Sequence, residues 1–141
     1  MTREPIYAAL YAKLQTIGGS VLTYSRILQH WTDVASSRQP AMYQVQMTEV
    51  ANPQPLGLPT KWTLNLDIYI YVKGDGKTSQ TPVINALLDA LTNVLASTNP
   101  SGKQTLGGLV EHCWIEGSIQ TDEGVLGDQS VVIVPIKILA T

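Results

Sequence analysis

The residues nearest to a phosphate-binding arrangement are Lys73 to Gln80, KGDGKTSQ, where lysines, glycines and hydroxyls precede a helix-like stretch. A P-loop sets four residues between its first glycine and a Gly-Lys pair, so that successive backbone amides cradle the phosphates. Here Gly74 and Gly76 frame Asp75 instead, which is the chemistry of a tight turn. Thiol chemistry would need Cys113 beside a base, and His112 precedes it. Neighbours on a strand point to opposite faces, so these two side chains do not meet, and Cys113 reads as a small buried hydrophobe. Asp122, Glu123 and Asp128 put three carboxylates into TDEGVLGDQ, with Gly124 and Gly127 to bend it. They lack the regular alternation of oxygens that a calcium loop uses. A solvated loop is the simpler reading, and acids facing a partner subunit or a DNA path is the other. With one cysteine and two histidines, no zinc spacing occurs. We expect no catalytic centre, no cofactor site and no metal site.

The elements around these residues are strongly patterned. Ile6, Leu10, Leu14 and Ile17 recur at helical spacing beside Tyr7 and Tyr11, with Thr2, Glu4 and Pro5 at the start and Gly18-Gly19 at the end. A second helix runs from Thr81-Pro82, which supply the cap and first turn, along Ile84, Leu87, Leu88, Leu91 and Leu95 to Asn99-Pro100. Between and after the helices come alternating runs. Ala41 to Val50 sets Tyr43, Val45 and Met47 against Gln44, Gln46 and Thr48. Lys61 to Val72 sets Trp62, Leu64, Leu66, Ile68, Ile70 and Val72 against Thr63, Asn65, Asp67, Tyr69 and Tyr71. Leu109 to Thr121 alternates again. Gln129 to Leu139 is apolar on both faces over its first half, and its Pro135 predicts an edge strand or a bulge. Ser20 to Ser37 is compatible with a short helix or an added strand. The order predicts an α+β fold: an antiparallel sheet of about four strands with two main helices packed on one face.

Tyr69, Tyr71, Trp114, Val131 and Ile133 fall on the sheet face away from the helices. A solvated sheet face alternates to polar residues, so large apolar side chains there mean a second covered face or an intersubunit contact. On the second reading Tyr71→Asp weakens assembly more than folding. Trp62, on the helix side, is expected in the core.

Composition bounds the class. The chain has 141 residues and a net charge of −2, enough for one domain with its own core. Charged residues make up 14%, against about 25% in an ordinary soluble domain, which suits a subunit that hides surface against neighbours. The MTREPIYAALYAKL start has no apolar signal segment, and no run is long enough to span a membrane, so a soluble, cytoplasmic chain is expected. The basic cluster that tight DNA binding requires is missing.

Four segments, QPAMYQVQMTEV, PTKWTLNLDIYIYV, TLGGLVEHCWIEG and DEGVLGDQSVVIVPIKIL, resemble in order and spacing the tail terminator (tail completion) proteins in the neck of long-tailed phages. The similarity runs from about Gln39 to the end, with the N-terminal helix in place, and its motifs are structural. It implies a single tail-terminator-like domain over 1–141 that assembles as a ring, typically a hexamer, on the head-proximal end of the tail tube. Such a ring stops tube polymerisation and docks to the head–tail connector or stopper protein, while DNA passes through the lumen without specific binding. The implied place is the virion tail neck, after assembly in the host cytoplasm, with no membrane involved. In that setting Tyr69, Tyr71, Trp114, Val131 and Ile133 are candidate intersubunit contacts. Loops 51–60, 73–80 and 121–129 are candidate docking loops through Pro53, Pro55, Leu56, Lys73, Asp75, Lys77, Asp122, Glu123 and Asp128. A head-completion or stopper protein, or a minor tail protein of the neck, is the structural alternative. A small enzyme is the alternative from another class, and it needs a convergent polar site that these residues do not assemble.

Size tolerates a ring. A globule of this length has a diameter of about 37 Å, so three in contact leave a hole of about 6 Å and six leave about 37 Å, wider than a DNA duplex of about 20 Å.

Overall fold

The computed structural model describes residues 1–75, 77–97, 99–126 and 128–141; Gly76 and Gly127, read above as turn glycines, lie outside them. Helix α1 (Arg3–Gln15) leads into a three-residue strand β1 (Thr23–Ser25) and two 3-10 turns, Trp31–Asp33 and Ser36–Arg38. Then come β2 (Ala41–Asn52), β3 (Lys61–Lys73), α2 (Thr81–Val94), β4 (His112–Ile115), β5 (Gln120–Leu126) and β6 (Gln129–Ala140). The described strands form one sheet in the order β1-β2-β3-β6-β4, with β5 also paired to β6. No described helix is long and apolar enough to cross a membrane.

The α+β class stands, but the sheet of described strands has six and is mixed, against the expected antiparallel sheet of about four. One addition is β1, which runs parallel to the start of β2 from Thr23 opposite Ala41. Three residues are too few to carry a pattern, and their pairing is set by the partner strand. The other is β5. The segment 121–129, expected as a loop, is largely a strand paired antiparallel with Gln129–Ile133. Its polar composition hides it, because an edge strand is held by its partner's backbone and needs few apolar side chains.

Strand β6 is not an edge: β3 pairs along one side of it, while β4 and β5 share the other. Pro135 is accommodated by a gap between those two neighbours. The β4 pairing ends at Ile115 opposite Ile136, and the β5 pairing begins at Gln120 opposite Ile133. The Pro135 carbonyl accepts from Glu116 N–H on that side, so its ring nitrogen faces a place where no ladder bond is due. Gly117, at φ +116, turns the chain out there, and a Cβ on it would lie 3.1 Å from the Pro135 ring. The run Leu109 to Thr121 is therefore two short strands, not one.

The core lies where the alternation put it. Leu64, Leu66, Ile68 and Ile70 of β3 and Val132, Val134, Ile136 and Ile138 of β6 are buried in one cluster with Ile6, Leu10 and Leu14 of α1 and Ile84, Leu87 and Leu91 of α2. Both helices thus cover the same sheet face. Trp62 is only partly buried at the margin of this cluster, with the Arg3 guanidinium 4.9 Å from its ring centroid. In β2 the register slips between Gln46 and Thr48. The bulge reverses the alternation beyond it, so Thr48 shares a face with Asn65, whose amide donates to it at 3.0 Å, and Glu49 turns to the helix side.

Candidate assembly surfaces

The sheet face away from the helices is half covered by the chain itself. Segment 29–39 lays Val34 and the edge of Trp31 over Ala41, Tyr43 and Tyr71. The Tyr71 hydroxyl donates to the Gln29 carbonyl at 2.9 Å, and its ring meets Tyr43 at 5.5 Å between centroids. Gln39 ties the cover down, its amide donating to Val34 O at 3.1 Å and to Gln129 Oε1 at 3.0 Å. Tyr71, at 5% exposure, has no surface left to offer a neighbour. Its assignment as an intersubunit contact is corrected: this part of the second face is covered within the domain.

The remainder of that face is open. Tyr69 and Val131 flank the covered patch and are partly buried, and Ile133 sits beside Tyr69 in register. Trp114, half-buried on β4, stacks on His112 at 4.8 Å and donates from Nε1 to Glu116 at 3.2 Å. Lys137 closes on the same Glu116 at 2.6 Å. Four of the five candidates therefore share one partly exposed surface.

Asp67 lies in the middle of this open face, opposite Val45 and Pro135. Among the described residues no hydrogen bond or ion pair reaches its carboxyl, and partial burial pushes its pKa up. A raised carboxyl value means that the folded state binds the proton more tightly, so the associated stability is present at low pH and is lost as pH rises. Asp67→Asn is thus expected to raise stability at neutral pH by about 0.5 kcal/mol, small because water still reaches the group. The gain should vanish below the carboxylate range, as chemical denaturation at two pH values would show.

On the other face Glu49 carries the opposite sign. It accepts from Arg3 Nε at 2.6 Å and from the Tyr7 hydroxyl at 2.7 Å. Burial disfavours its charge, but the guanidinium and the phenol outweigh burial and hold the carboxyl below its ordinary 4.5. Burial, reinforced by this carboxylate, pushes the Tyr7 phenol up. The stability that Glu49 contributes is present above pH 4.5 and is lost as pH falls through the lower folded value. Glu49→Gln should therefore lower stability at neutral pH and flatten the loss on acidification, read from urea midpoints across that window.

Two of the three candidate docking segments meet at one end of the sheet. Lys73 pairs with Asp128 at 2.8 Å, and Gly74 N–H donates to the Asp128 carbonyl. Asp75 accepts from the amides of Lys77 and Thr78, each at 2.8 Å. Those amides are the donors a phosphate would need, so the turn reading of KGDGKTSQ holds. Glu123, reaching from β5, accepts from Gln80 N–H at 2.8 Å and from the Thr81 hydroxyl. It caps α2 from 42 residues away, a role expected of Thr81, and those contacts hold its pKa down. Lys77 and Asp122 stay exposed. The third segment, with Pro53, Pro55 and Leu56, is the tip of the β2–β3 hairpin at the opposite end.

Cys113 is fully buried, and that burial pushes its thiol up to about 12, leaving no thiolate at neutral pH. His112 engages the Gln104 amide through Nδ1 at 3.1 Å, and His30 caps the turn at Trp31. A cavity of about 70 Å³ beneath the cover segment, bordered by Asp33, Arg38 and Tyr43, is far smaller than a usual ligand site.

Neither a family model nor a curated protein matches this sequence. Among solved structures the chain is similar to one from the virion of a native gene transfer agent particle, with a TM-score of 0.57 at 12% identity. The match covers 95% of this chain and 92% of that one, and likeness at such identity is a likeness of fold.

Proposed function

We propose that this protein is a virion structural subunit whose copies form a ring at the head-proximal end of a tail tube. The observation that carries the reading is the shared fold with a virion chain over 95% of the length, in agreement with the four sequence segments that resemble tail terminators. The low charge and the open apolar face support it from within the chain. The ring, a hexamer, would end tube growth sterically: one side matches the last tube ring, and the other lacks the surface a further tube subunit needs. That second side would dock to the connector or stopper, with DNA sliding through an unspecific lumen.

In this reading Tyr69, Trp114, Val131 and Ile133 bury against a neighbouring copy, and Ile133→Asp is expected to weaken assembly at least tenfold while shifting the unfolding midpoint little. Sedimentation and thermal unfolding of the variant separate the two effects. The role itself is tested by particles assembled without this chain. Abnormally long tails are expected; normal tails beside empty heads would make it a stopper instead.

A further inference from the structure

Asp67 is out of keeping with the sheet face that holds it. Val45 stands opposite it on β2 and Pro135 opposite it on β6, and Tyr69 follows two residues on along the same face. These uncharged neighbours leave the carboxyl half-buried, and among the described residues no hydrogen bond or ion pair reaches it. The polar groups nearby are engaged elsewhere. Lys137, opposite Asn65 and so diagonal to Asp67, lies within reach of a long side chain, yet its ammonium closes on Glu116 at 2.6 Å. Asn65 itself donates to Thr48 at 3.0 Å. With Lys137 and Glu116 cancelling, the middle of the face presents one uncompensated negative charge amid apolar and aromatic surface.

An apolar surface laid over such a group strips a carboxylate of its hydration and returns nothing. An ammonium or guanidinium offsets that loss with a charge-assisted hydrogen bond, and the Tyr69 ring beside it attracts the same cation. Copies of this chain have cations to supply. Of its nine lysines and arginines, five are paired within the chain: Arg3 with Glu49, Arg26 with Glu4, Lys61 with Glu111, Lys73 with Asp128 and Lys137 with Glu116. Lys13, Arg38, Lys77 and Lys103 have no ion pair among the described residues, and the last three are exposed.

We infer that Asp67 of one copy receives a lysine or arginine side chain of the next copy when the open face is covered. The contact rests on the ring reading and supplies the charged centre of its lateral surface. A lone carboxylate amid apolar side chains also fixes how two copies meet, because any register that sets it against an apolar patch is disfavoured.

Asp67→Asn removes the charge and keeps the shape. It is expected to raise the stability of the single chain at neutral pH while weakening assembly about tenfold, as truncating one member of a covered charge pair does. Chemical denaturation and sedimentation read the two effects, and their opposite signs separate this role from a structural one, which would move both together. Asp67→Lys should abolish assembly, and one of Lys13→Asp, Arg38→Asp, Lys77→Asp and Lys103→Asp, placed in the same chain, should restore it. Rings as tight or tighter with Asp67→Asn overturn the contact and leave the ring standing. Assembly that Asp67→Asn weakens and none of the four reversals restores would put the cation on tube or connector protein, which also overturns it. A parent chain that sediments as a monomer, alone and with its tail proteins, removes both the contact and the ring.

Discussion

Tyr71→Asp is expected to unfold the protein, at a cost of about 3–5 kcal/mol, and not merely to dissociate it. The ring is almost fully buried between Tyr43 and the cover segment, and its hydroxyl satisfies the Gln29 carbonyl. A carboxylate at that place loses the ring's apolar contacts with Val34, Ala41 and Tyr43 and strands the Gln29 carbonyl. Tyr71→Phe removes only the hydrogen bond and should cost about 1 kcal/mol. Urea unfolding of the two variants measures the difference. Equal midpoints for Tyr71→Asp and the parent would mean that segment 29–39 does not dock on the sheet.

Leu66→Ala is the second large effect, about 2–5 kcal/mol. Leu66 is 1% exposed on the strand with a partner along both sides, beneath both helices. Dense packing on every side lets the site collapse little, which favours the upper half of that range. Trp62→Ala, on the same face, should cost less than a core tryptophan would, because the ring stands at the margin and shares its surface with Arg3. A Trp62→Ala loss exceeding that of Leu66→Ala would reverse this ranking of centre over margin.

The contrast between these positions explains what the sequence made legible. Leu64, Leu66, Ile68 and Ile70 announce a buried face because period-two spacing survives along a straight, central strand. Ile84, Leu87 and Leu91 do the same at helical spacing. In segment 26–40 Ile27, Leu28, Trp31 and Val34 are spaced for a short helix, yet the chain forms two 3-10 turns there instead. Trp31 and Val34 act through single contacts, so nothing distinguished a cover for Tyr71 from an intersubunit surface. Glu123 was equally silent: a cap supplied from across the fold has no local signature, and its carboxylate reads as loop polarity. Pro135 pointed to an edge where the real feature is a gap in the neighbouring lane. The bulge at Met47 reversed the facing of Thr48 and Glu49, and so hid the Arg3–Glu49–Tyr7 contact. In each case a long-range partner decides, and local pattern does not encode it.

Of the candidate surface, Tyr69, Trp114, Val131 and Ile133 stay partly exposed on one sheet face, while Tyr71 is covered within the domain. The loops divided by position into an acidic end built from 73–80 and β5, and a hairpin tip carrying bare leucines. That division became visible only with the register of β2 and β3.

Electron cryomicroscopy of the particle neck would place the chain. Six copies of this fold are expected in a closed ring between the last tube ring and the connector, around a lumen wide enough for a DNA duplex. Density for the chain elsewhere in the particle, or as single isolated copies without mutual contact, would contradict it.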